Sequence, residues 1–539
     1  MSDSYSLFRS VRIISICTFS SRILGLARDM ICASIFGTGM VWDAFTVAFK
    51  IPNLFRRLFG EGALSAAFIP VFTEHIEKQG KEEAWRFAHI IATLLIIVLG
   101  GIVLLGEGYF FLIPKLVHLQ EKWQLIYNLL IIMFPYVLFI CLVAFIGAVL
   151  NTVHHFFMPA FAPVVMNVCW ILGAVLSPYL GNTLEKMVYA VAVSTFLSGL
   201  IQILIHIPVL KKKNILYRPV LRFSHPGLKL VLTRMAPIVF GLAIVQVNVL
   251  LDSIIAVGFS TPLGRQDYFS LAGIAIPYPL RTGAASVLYY SDRLIQFPLG
   301  VFGIAMATAV FPLFSTHAVR GDWSNFSTTF NKALKYILFI GIPASLGIIM
   351  LREPIVDLLY RRNQFDAESA YRTSQVIFFY GMAIWAYCGL HILIRAFYSV
   401  KDTVTPVKVG AACVGVNLVL NLTLIWVLEE GGLALSTAIS AMVQIIVLTI
   451  LLQKRLRIKI RSEVAVCLQK TVLASIIMAV TCWFVLKLFP DLNGAGSLYF
   501  KGFRLFIPML SAATAFCATS FLLRSEEFRD MVRLSLRKT

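Results

Sequence analysis

The sequence predicts an all-α polytopic membrane protein with about 14 transmembrane helices. Of its 539 residues, 59% are hydrophobic and only 14% are charged, and the mean hydropathy is +0.83. A soluble domain is closer to roughly 45–50% apolar and about 25% charged. The apolar runs are about 20 residues long, which suits a membrane-spanning helix and is about twice the length of a barrel strand. These runs are therefore predicted as helices, which satisfy their own backbone hydrogen bonds in lipid.

Short polar segments separate the apolar runs and define the predicted spans in chain order. Their approximate cores are 11–36, 42–73, 86–112, 124–150, 159–180, 186–210, 230–258, 285–316, 329–359, 369–399, 404–428, 432–453, 464–489 and 501–523. The second run contains Pro52 and Gly60, so a break is expected in its helix. The ninth run ends in LREPIVDLLYRR, which is typical of a membrane interface.

The basic loops indicate how the chain is oriented. KKKNILYRPVLRF (211–223), QKRLRIKIR (453–461) and the C-terminal tail all lie on the same side as the two termini. Because Lys and Arg concentrate in cytoplasmic loops, both termini are predicted to be cytoplasmic. An anionic membrane surface then accounts for the net charge of +20, and no nucleic-acid partner is expected.

Motifs for catalysis and for nucleotide binding are missing from the sequence. It contains no G-x-x-x-x-G-K-[ST], no H-E-x-x-H and no serine elbow with a credible triad. The protein is therefore expected not to be an enzyme. A transport function would have to use an ion gradient or the membrane potential.

A faint internal repeat predicts the domain organisation. AVLNTVHHFFMPAFAPVVMN (148–167) is similar to AFYSVKDTVTPVKVGAACVGVN (396–417), and each contains a span end, a short polar loop and a proline that opens the next span. Transporters are often built from such repeats, with the substrate site between them. The repeat predicts two six-helix lobes, at 1–223 and 224–456, and the central cavity between such lobes is implied by the family resemblance described below. Two further transmembrane helices and a cytoplasmic tail follow at 457–539.

The stretch SRILGLARDM (21–30) places charges inside the first apolar run. An Arg or Asp at the centre of a membrane helix costs roughly 3 kcal/mol. Two interpretations are open: Asp29 neutralises Arg28 in an internal ion pair that holds helices together, or Arg22 and Arg28 face a water-filled cavity.

The second run carries a stripe of charge. Asp43, Lys50 and Arg57 are spaced seven residues apart, so they lie on one face of a helix. Asn53 lies one turn before Arg57, and Glu61 follows Arg57 by four residues and can pair with it. The alternative is that the cations of this run reach out to the interface at the membrane edge, which explains Asp43 poorly.

The eighth run also carries charged residues within an apolar stretch. Its segment YYSDRLIQFPLG (289–300) brings Asp292 and Arg293 beside Gln296, just before Pro298. Arginines that converge from several spans favour an anionic substrate, because the guanidinium group matches phosphate and carboxylate geometry. A carrier of cationic drugs would instead present carboxylates.

A second set of polar residues is neutral to acidic. Asp252 lies in the middle of a span, Asn417 and Asn421 share one helix face, and Thr437 lies one turn after the carbonyl of Leu433. These hard oxygen ligands suit an alkali cation. Hydrogen bonding between helices explains the same residues equally well.

The segment SRILGLARDMICASIFGTGMVWDAFTVAFKIPNLFRRLFGEGALSAAFIPVF (21–72) closely resembles the MurJ/MviN family. YYSDRLIQFPLGVFGIA (289–305) and AFYSVKDTVTPVK (396–408) are similar to further signatures of that family. These proteins are the lipid II flippases of bacterial cell-wall synthesis, within the multidrug/oligosaccharidyl-lipid/polysaccharide exporter superfamily. The resemblance implies alternating access of a central cavity and a groove for the polyprenyl tail formed by the last two spans.

The resemblance also implies roles for particular residues. The expected substrate-binding arginines are Arg22, Arg28, Arg56, Arg57 and Arg293, and the other cavity and gate positions are Ser21, Asp29, Asp43, Lys50, Asn53 and Glu61. The implied sodium ligands are Asp252, Asn417, Asn421, the Leu433 carbonyl and Thr437. Gln296 and Asn421 stand where family members often have Glu and Asp, which weakens an expected gate ion pair and the cation site. An apparent insertion at 261–280 is expected outside the cell membrane.

The resulting expectation is a flippase that moves lipid II from the cytoplasmic to the periplasmic leaflet of the bacterial inner membrane. The closest alternative is a flippase for another polyprenyl-pyrophosphate-linked glycan. A drug/cation antiporter of the same superfamily is disfavoured by the arginines, and a non-transporting scaffold would not need them. Expected partners are lipid II, membrane lipids and proteins of cell-wall synthesis and division. No cofactor other than a sodium ion is expected.

Overall fold

A computed structural model describes residues 2–213, 215, 217–221, 224–262, 268–271, 274–490 and 497–536. It describes their side chains except at 2–11, 60–63, 65–66, 270–271 and 534–536. Long helices account for nearly all of this part of the chain, so the predicted all-α class is confirmed. The chain divides into two compact units, Met1–Ile276 and Pro277–Thr539.

The first unit contains nine α-helices within its described residues. They are α1 (Ser2–Phe36), α2 (Met40–Phe55), α3 (Leu64–Gln79), α4 (Lys81–Leu116), α5 (Glu121–Met133), α6 (Tyr136–Thr152), α7 (Phe157–Leu180), α8 (Leu184–Lys212) and α9 (Pro226–Gly258). Helix α7 packs against both α1 and α8, and α2 packs against α5. Helix α9 packs against α2 and α3.

The helices of the second unit include the two C-terminal spans. They are α10 (Ala284–Pro298), α11 (Ala305–Arg320), α12 (Trp323–Leu359), α13 (Ala367–Gly381), α14 (Ile384–Ser399), α15 (Val404–Leu428), α16 (Glu430–Leu456), α17 (Ser462–Lys487), α18 (Leu498–Leu522) and α19 (Glu526–Leu536). Helices α17 and α18 pack against each other and against α12, around buried Leu351, Met478 and Leu505. The three-part division at 1–223, 224–456 and 457–539 stays a prediction.

Within the described chain, ten helical stretches are long and apolar enough to cross a membrane, and one of them is the continuous stretch Ala284–Arg320. The number rises to twelve if the bent pairs α5–α6 and α13–α14 each count as one span. These twelve correspond to the third to fourteenth predicted runs. The first run lies in α1, whose apolar stretch carries Arg22, Arg28 and Asp29. The count of fourteen spans stays a prediction.

The second predicted run is divided, as Pro52 and Gly60 suggested. Helix α2 ends at Phe55, a π-helical segment follows at Arg56–Ala63, and α3 continues from Leu64. A second π-helical segment, Leu299–Ile304, follows Pro298. Proline removes a backbone donor, and π segments of this kind are frequent at functional sites. Arg56 and Arg57 therefore lie within one π segment, and Arg293 lies on the helix that leads into the other.

The segment 261–280 contains the two strands β1 (Tyr268–Leu271) and β2 (Ile274–Pro277), which pair with each other. Phe269 contacts Phe259 edge to face, which ties β1 to the end of α9. No strand was predicted here from the sequence. Residues 263–267 and 272–273 lie outside the described part of the chain.

The turns in the two segments of the predicted repeat have the same backbone geometry, which also occurs at the ends of α11 and α18. The turn from α6 to α7 and the turn from α14 to α15 each contain one residue with positive φ, His154 at 57° and Lys401 at 61°. In each turn the following residue, His155 or Asp402, donates its N–H to a carbonyl five residues back. The two copies therefore share one helix C-cap geometry.

Candidate functional site

The charges of the first predicted run meet α7. The buried guanidinium of Arg28 donates to Asp29 Oδ1 from Nε at 3.0 Å and from Nη2 at 2.7 Å, and its Nη1 donates to Asn167 Oδ1 at 3.1 Å. The same guanidinium lies over the Trp170 ring, 4.3 Å from its centroid. Ser21 accepts from the Asn167 amide at its carbonyl and hydroxyl oxygens. This arrangement matches the first interpretation of the sequence, an internal ion pair that holds two helices together.

Arg22 lies in a different environment. Its side chain is exposed, whereas Arg28 and Asp29 are 6% and 4% exposed. Helical geometry places residues six apart on different faces, and no break at Gly25 brings them together. In this conformation the guanidinium of Arg28 is held by Asp29 and Asn167, whereas the side chain of Arg22 is exposed.

The stripe on α2 faces α9. Lys50 Nζ donates to the Ser253 hydroxyl, and Arg57 Nη1 donates to Gln246 Oε1 at 3.3 Å. The two cations are seven residues apart, with Lys50 on α2 and Arg57 in the π-helical segment after it, and their acceptors are seven residues apart on α9, in the opposite direction. The antiparallel register therefore brings one face of each helix together over two turns.

Asp43, the third member of the stripe, belongs to α2 and lies near the C-terminal end of α9. It is buried and close enough to Lys122, on α5, for a direct electrostatic interaction. Lys122 is also buried, and its Nζ donates to the carbonyl oxygens of Val257 at 2.8 Å and Ser260 at 2.7 Å. A cation at a helix C-terminus satisfies carbonyl groups that have no partner within the helix. Lys122 was not predicted from the sequence, because it lies in a polar segment whose pattern is typical of a loop.

The remaining predicted residues of this run surround the π-helical segment Arg56–Ala63. Arg56 Nε donates to Asn53 Oδ1 at 2.9 Å, and both side chains are half-buried. Glu61 was predicted to pair with Arg57, but its side chain lies outside the described residues. Arg57 itself donates to Gln246, on α9.

The predicted residues of the eighth run lie in the second unit. Arg293 is half-buried, its Nη2 donates to the Tyr289 hydroxyl at 3.3 Å, and its guanidinium lies over the Tyr289 ring. Gln296 donates its amide to the Asp292 carboxylate. A glutamine can neutralise neither Asp292 nor Arg293, so this side chain orients Asp292 by a hydrogen bond alone.

Four of the five predicted sodium ligands come together in the second unit. Asn421 Nδ2 donates to Asn417 Oδ1 at 3.0 Å, Asn417 Nδ2 donates to Thr437 Oγ1 at 3.2 Å, and Thr437 donates to the Leu433 carbonyl at 3.1 Å. The result is a continuous chain of hydrogen bonds between α15 and α16. Asp252 is buried on α9, in the first unit. No group of three His, Cys, Asp or Glu side chains within the described residues could hold a metal ion.

These neutral oxygens fit a sodium ion only partly. Sodium prefers hard oxygen ligands, and the amide, hydroxyl and carbonyl oxygens qualify. However, Asn417 Oδ1 and Thr437 Oγ1 already accept hydrogen bonds, and the carboxylate of the set belongs to the other unit. The geometry within the second unit is the one that hydrogen bonding between helices requires.

Two buried ion-pair systems were not predicted from the sequence. Arg372, on α13, binds Glu430 at the start of α16 and the carbonyls of Thr282 and Arg281. Asp357, near the end of α12, accepts from Arg504 on α18 at 2.9 Å. Their partners are separated by 58 and 147 residues, so no local pattern could pair them.

Comparisons with known proteins agree on one family. Residues 32–503 match the family model described as "Lipid II flippase MurJ". The chain is 36% identical over 450 residues to "Probable lipid II flippase MurJ" of Vibrio cholerae, which covers 81% of each chain. It is 31% identical over 459 residues to "Lipid II flippase MurJ" of Burkholderia cenocepacia, with 84% of each chain covered.

Solved structures show the same relationship. "Lipid II flippase MurJ, inward closed conformation" superposes with a TM-score of 0.74 at 25% identity and covers 96% of this chain and 99% of that one. An inward-facing multidrug resistance MATE family transporter of the MOP superfamily superposes with a TM-score of 0.65 at 15% identity, with 83% of this chain and 98% of that one covered. The second match concerns the fold alone.

Proposed function

The chain belongs to the MurJ family of lipid II flippases, and from this premise we propose that its half-buried cations hold the pyrophosphate of lipid II while the lipid crosses the membrane. The protein is a transporter and not an enzyme. It moves lipid II from the cytoplasmic to the periplasmic leaflet by alternating access.

The stripe of Lys50 and Arg57 is the observation that supports this role. Both side chains are half-buried, and on α9 they donate hydrogen bonds to a neutral hydroxyl and a neutral amide oxygen. A cation in an apolar segment faces a protein interior or a water-filled cavity, and a phosphate is its strongest partner. A dianionic pyrophosphate offsets the cost of keeping these charges within the membrane.

The other predicted arginines contribute in different ways. Arg22 is exposed and is proposed to contact the pyrophosphate directly. Arg56 and Arg293 are half-buried and are proposed to do the same. Arg28 can reach the substrate only by exchanging its bond to Asn167 or Asp29, so we assign it to positioning α1 against α7.

Sodium as the coupling ion is a separate proposal. A sodium ion would have to displace the amide of Asn421 from Asn417, and the competing proposal is that Asp252 takes up a proton. Transport or conformational change in reconstituted protein should be measured against sodium at fixed pH and fixed membrane potential. A response that Asp252→Asn abolishes supports sodium, whereas a response to pH without one to sodium contradicts it.

The family supports a membrane location, and the orientation and the further partners are proposals. The protein is a multi-pass membrane protein, and we propose the bacterial inner membrane with both termini in the cytoplasm. A cysteine placed near residue 270 should then be labelled from outside without permeabilisation, and labelling only after permeabilisation would contradict the orientation. Membrane lipids and proteins of cell-wall synthesis and division are proposed as further partners.

Native mass spectrometry of the purified protein tests the substrate. It should be offered lipid II, a different polyprenyl-pyrophosphate-linked glycan and a cationic drug at equal concentrations. We expect lipid II to bind best, and to lose binding when Arg57 is replaced by Ala. Preference for the other glycan or the drug would identify one of those as the substrate and contradict the proposal.

A further inference from the structure

Helices α2 and α9 are joined by a ladder of three polar rungs. The rungs are Asp43 with Lys122 and the C-terminal end of α9, Lys50 with Ser253, and Arg57 with Gln246. The first rung is buried on all sides, whereas the cations of the second and third are half-buried. The last two rungs therefore join α9 to the cations proposed to bind the substrate.

We propose that Ser253 and Gln246 hold the places of substrate oxygens, so that the pyrophosphate releases α9 from α2 when it binds Lys50 and Arg57. The inference rests on the proposed function and extends it to the step that follows binding. Ser253 and Gln246 are positioning residues in this account, because they act through α9 and do not bind the substrate.

The chemistry of the acceptors sets the direction of the exchange. Ser253 and Gln246 offer a neutral hydroxyl and a neutral amide oxygen, whereas pyrophosphate oxygens are charged. The bonds to Ser253 and Gln246 already have a charged donor, and an anionic acceptor adds the attraction between opposite charges, which is stronger away from water. Pyrophosphate therefore displaces both acceptors, and without substrate these two hydrogen bonds keep α9 against α2.

The first rung defines where α9 stays fixed. Lys122 binds two carbonyl oxygens at its C-terminal end and comes from α5, so substrate binding at the other rungs does not release it. Pro237 lies inside α9, on the N-terminal side of Gln246, and proline removes a hydrogen bond of the helix there. The segment between Pro237 and Ser253 is the part that moves.

Affinity measurements test the competition in the full chain. A protein that must break bonds before it binds has a lower apparent affinity, because only the open fraction is competent. Gln246→Ala combined with Ser253→Ala should therefore bind lipid II about tenfold more tightly than the wild type. Val247→Ala is the control, since Val247 is an exposed residue beside Gln246 and lies outside the ladder. Equal or weaker binding by the double variant overturns the inference.

Distance measurements test the motion. By the register of the ladder, Leu54 and Val249 lie between the second and third rungs, and spin labels can be placed there in a chain whose native cysteines are replaced by serine. We expect lipid II to lengthen the distance between the labels, and the double variant to show the longer distance without lipid. Lipid II binding without a change in distance overturns the inference and leaves the proposed function intact. No lipid II binding by the wild type overturns both.

Discussion

The Nζ of Lys122 on α5 donates a hydrogen bond of 2.8 Å to the carbonyl oxygen of Val257 on α9. A second bond, of 2.7 Å, reaches the carbonyl of Ser260, and Asp43 balances the charge. Lys122 is 4% exposed, so its ammonium has exchanged water for these groups. The end of α9 is thus held by one side chain from a helix more than a hundred residues away in sequence.

Replacement of Lys122 by Met should destabilise the protein by about 3 kcal/mol, because Asp43 is then buried without its cation. Thermal unfolding in detergent measures the loss, and complementation of a flippase-depleted strain measures function. Lys115→Met is the matched control, since Lys115 is exposed and lies near the end of α4, just before α5. Equal unfolding temperatures for Lys122→Met and Lys115→Met would contradict a structural role for Lys122.

Replacement of Arg28 by Ala should reduce stability by about 3–5 kcal/mol, because the Asp29 carboxylate remains buried without the guanidinium. The double variant Arg28→Ala, Asp29→Ala should unfold at a higher temperature than the single one. Arg28→Lys should not restore the wild type, since an ammonium cannot make two bonds to Asp29 and also reach Asn167. An Arg28→Ala protein as stable as the wild type would place Arg28 among the residues that act only on the substrate.

We predict that Asp402, which lies in a turn outside the membrane, makes a pH-dependent contribution to the stability of the folded protein. It caps α15 through the N–H and hydroxyl of Thr405 and pairs with Arg455. Burial alone would raise the pKa of its carboxyl group, but the hydrogen bonds from Thr405 and the charge of Arg455 outweigh it, and the pKa is lowered. A carboxylate with a lowered pKa stabilises the folded state above its unfolded pKa, and this contribution is lost as the pH falls through the folded value.

Asp402→Asn should therefore lower the unfolding temperature at neutral pH, and the difference from wild type should shrink in acid. Asn keeps the capping oxygen, so the loss of the charge beside Arg455 and the first turn of α15 predicts about 1 kcal/mol at neutral pH. Glu77→Gln, at an exposed position, serves as the control. A difference that is constant from neutral to acidic pH would mean that the charge of Asp402 contributes nothing.

Hydropathy alone predicted the helices that are continuous and apolar, and it failed where the backbone departs from α-helix. The twelve runs from 86–112 onward correspond to helices or bent pairs of the structure. The π-helical segments after Phe55 and Pro298 and the hairpin of β1 and β2 carry no periodic signal, because glycine, proline and local hydrogen bonding decide them. The break in 42–73 was foreseen from its Pro and Gly, but its type was not.

The residue types of the candidate site could be predicted from the sequence, but the partners of these residues could not. Charge within an apolar run identified Arg28, Lys50 and Arg57 without reference to a fold. Their partners Asn167, Ser253 and Gln246 are uncharged and 139 to 203 residues away, so they look like ordinary polar residues of a helix. Packing of α1 on α7 and of α2 on α9 selects them, and only the folded chain specifies that packing.

Movement of lipid II across a membrane by the purified protein tests the central claim most directly. Vesicles would carry lipid II in the inner leaflet, and a soluble enzyme outside would modify each headgroup that emerges. We predict emergence with the wild type and with Val247→Ala, and a rate at least about tenfold lower with folded Arg57→Ala. No emergence with the wild type, or an equal rate with Arg57→Ala, would contradict the account.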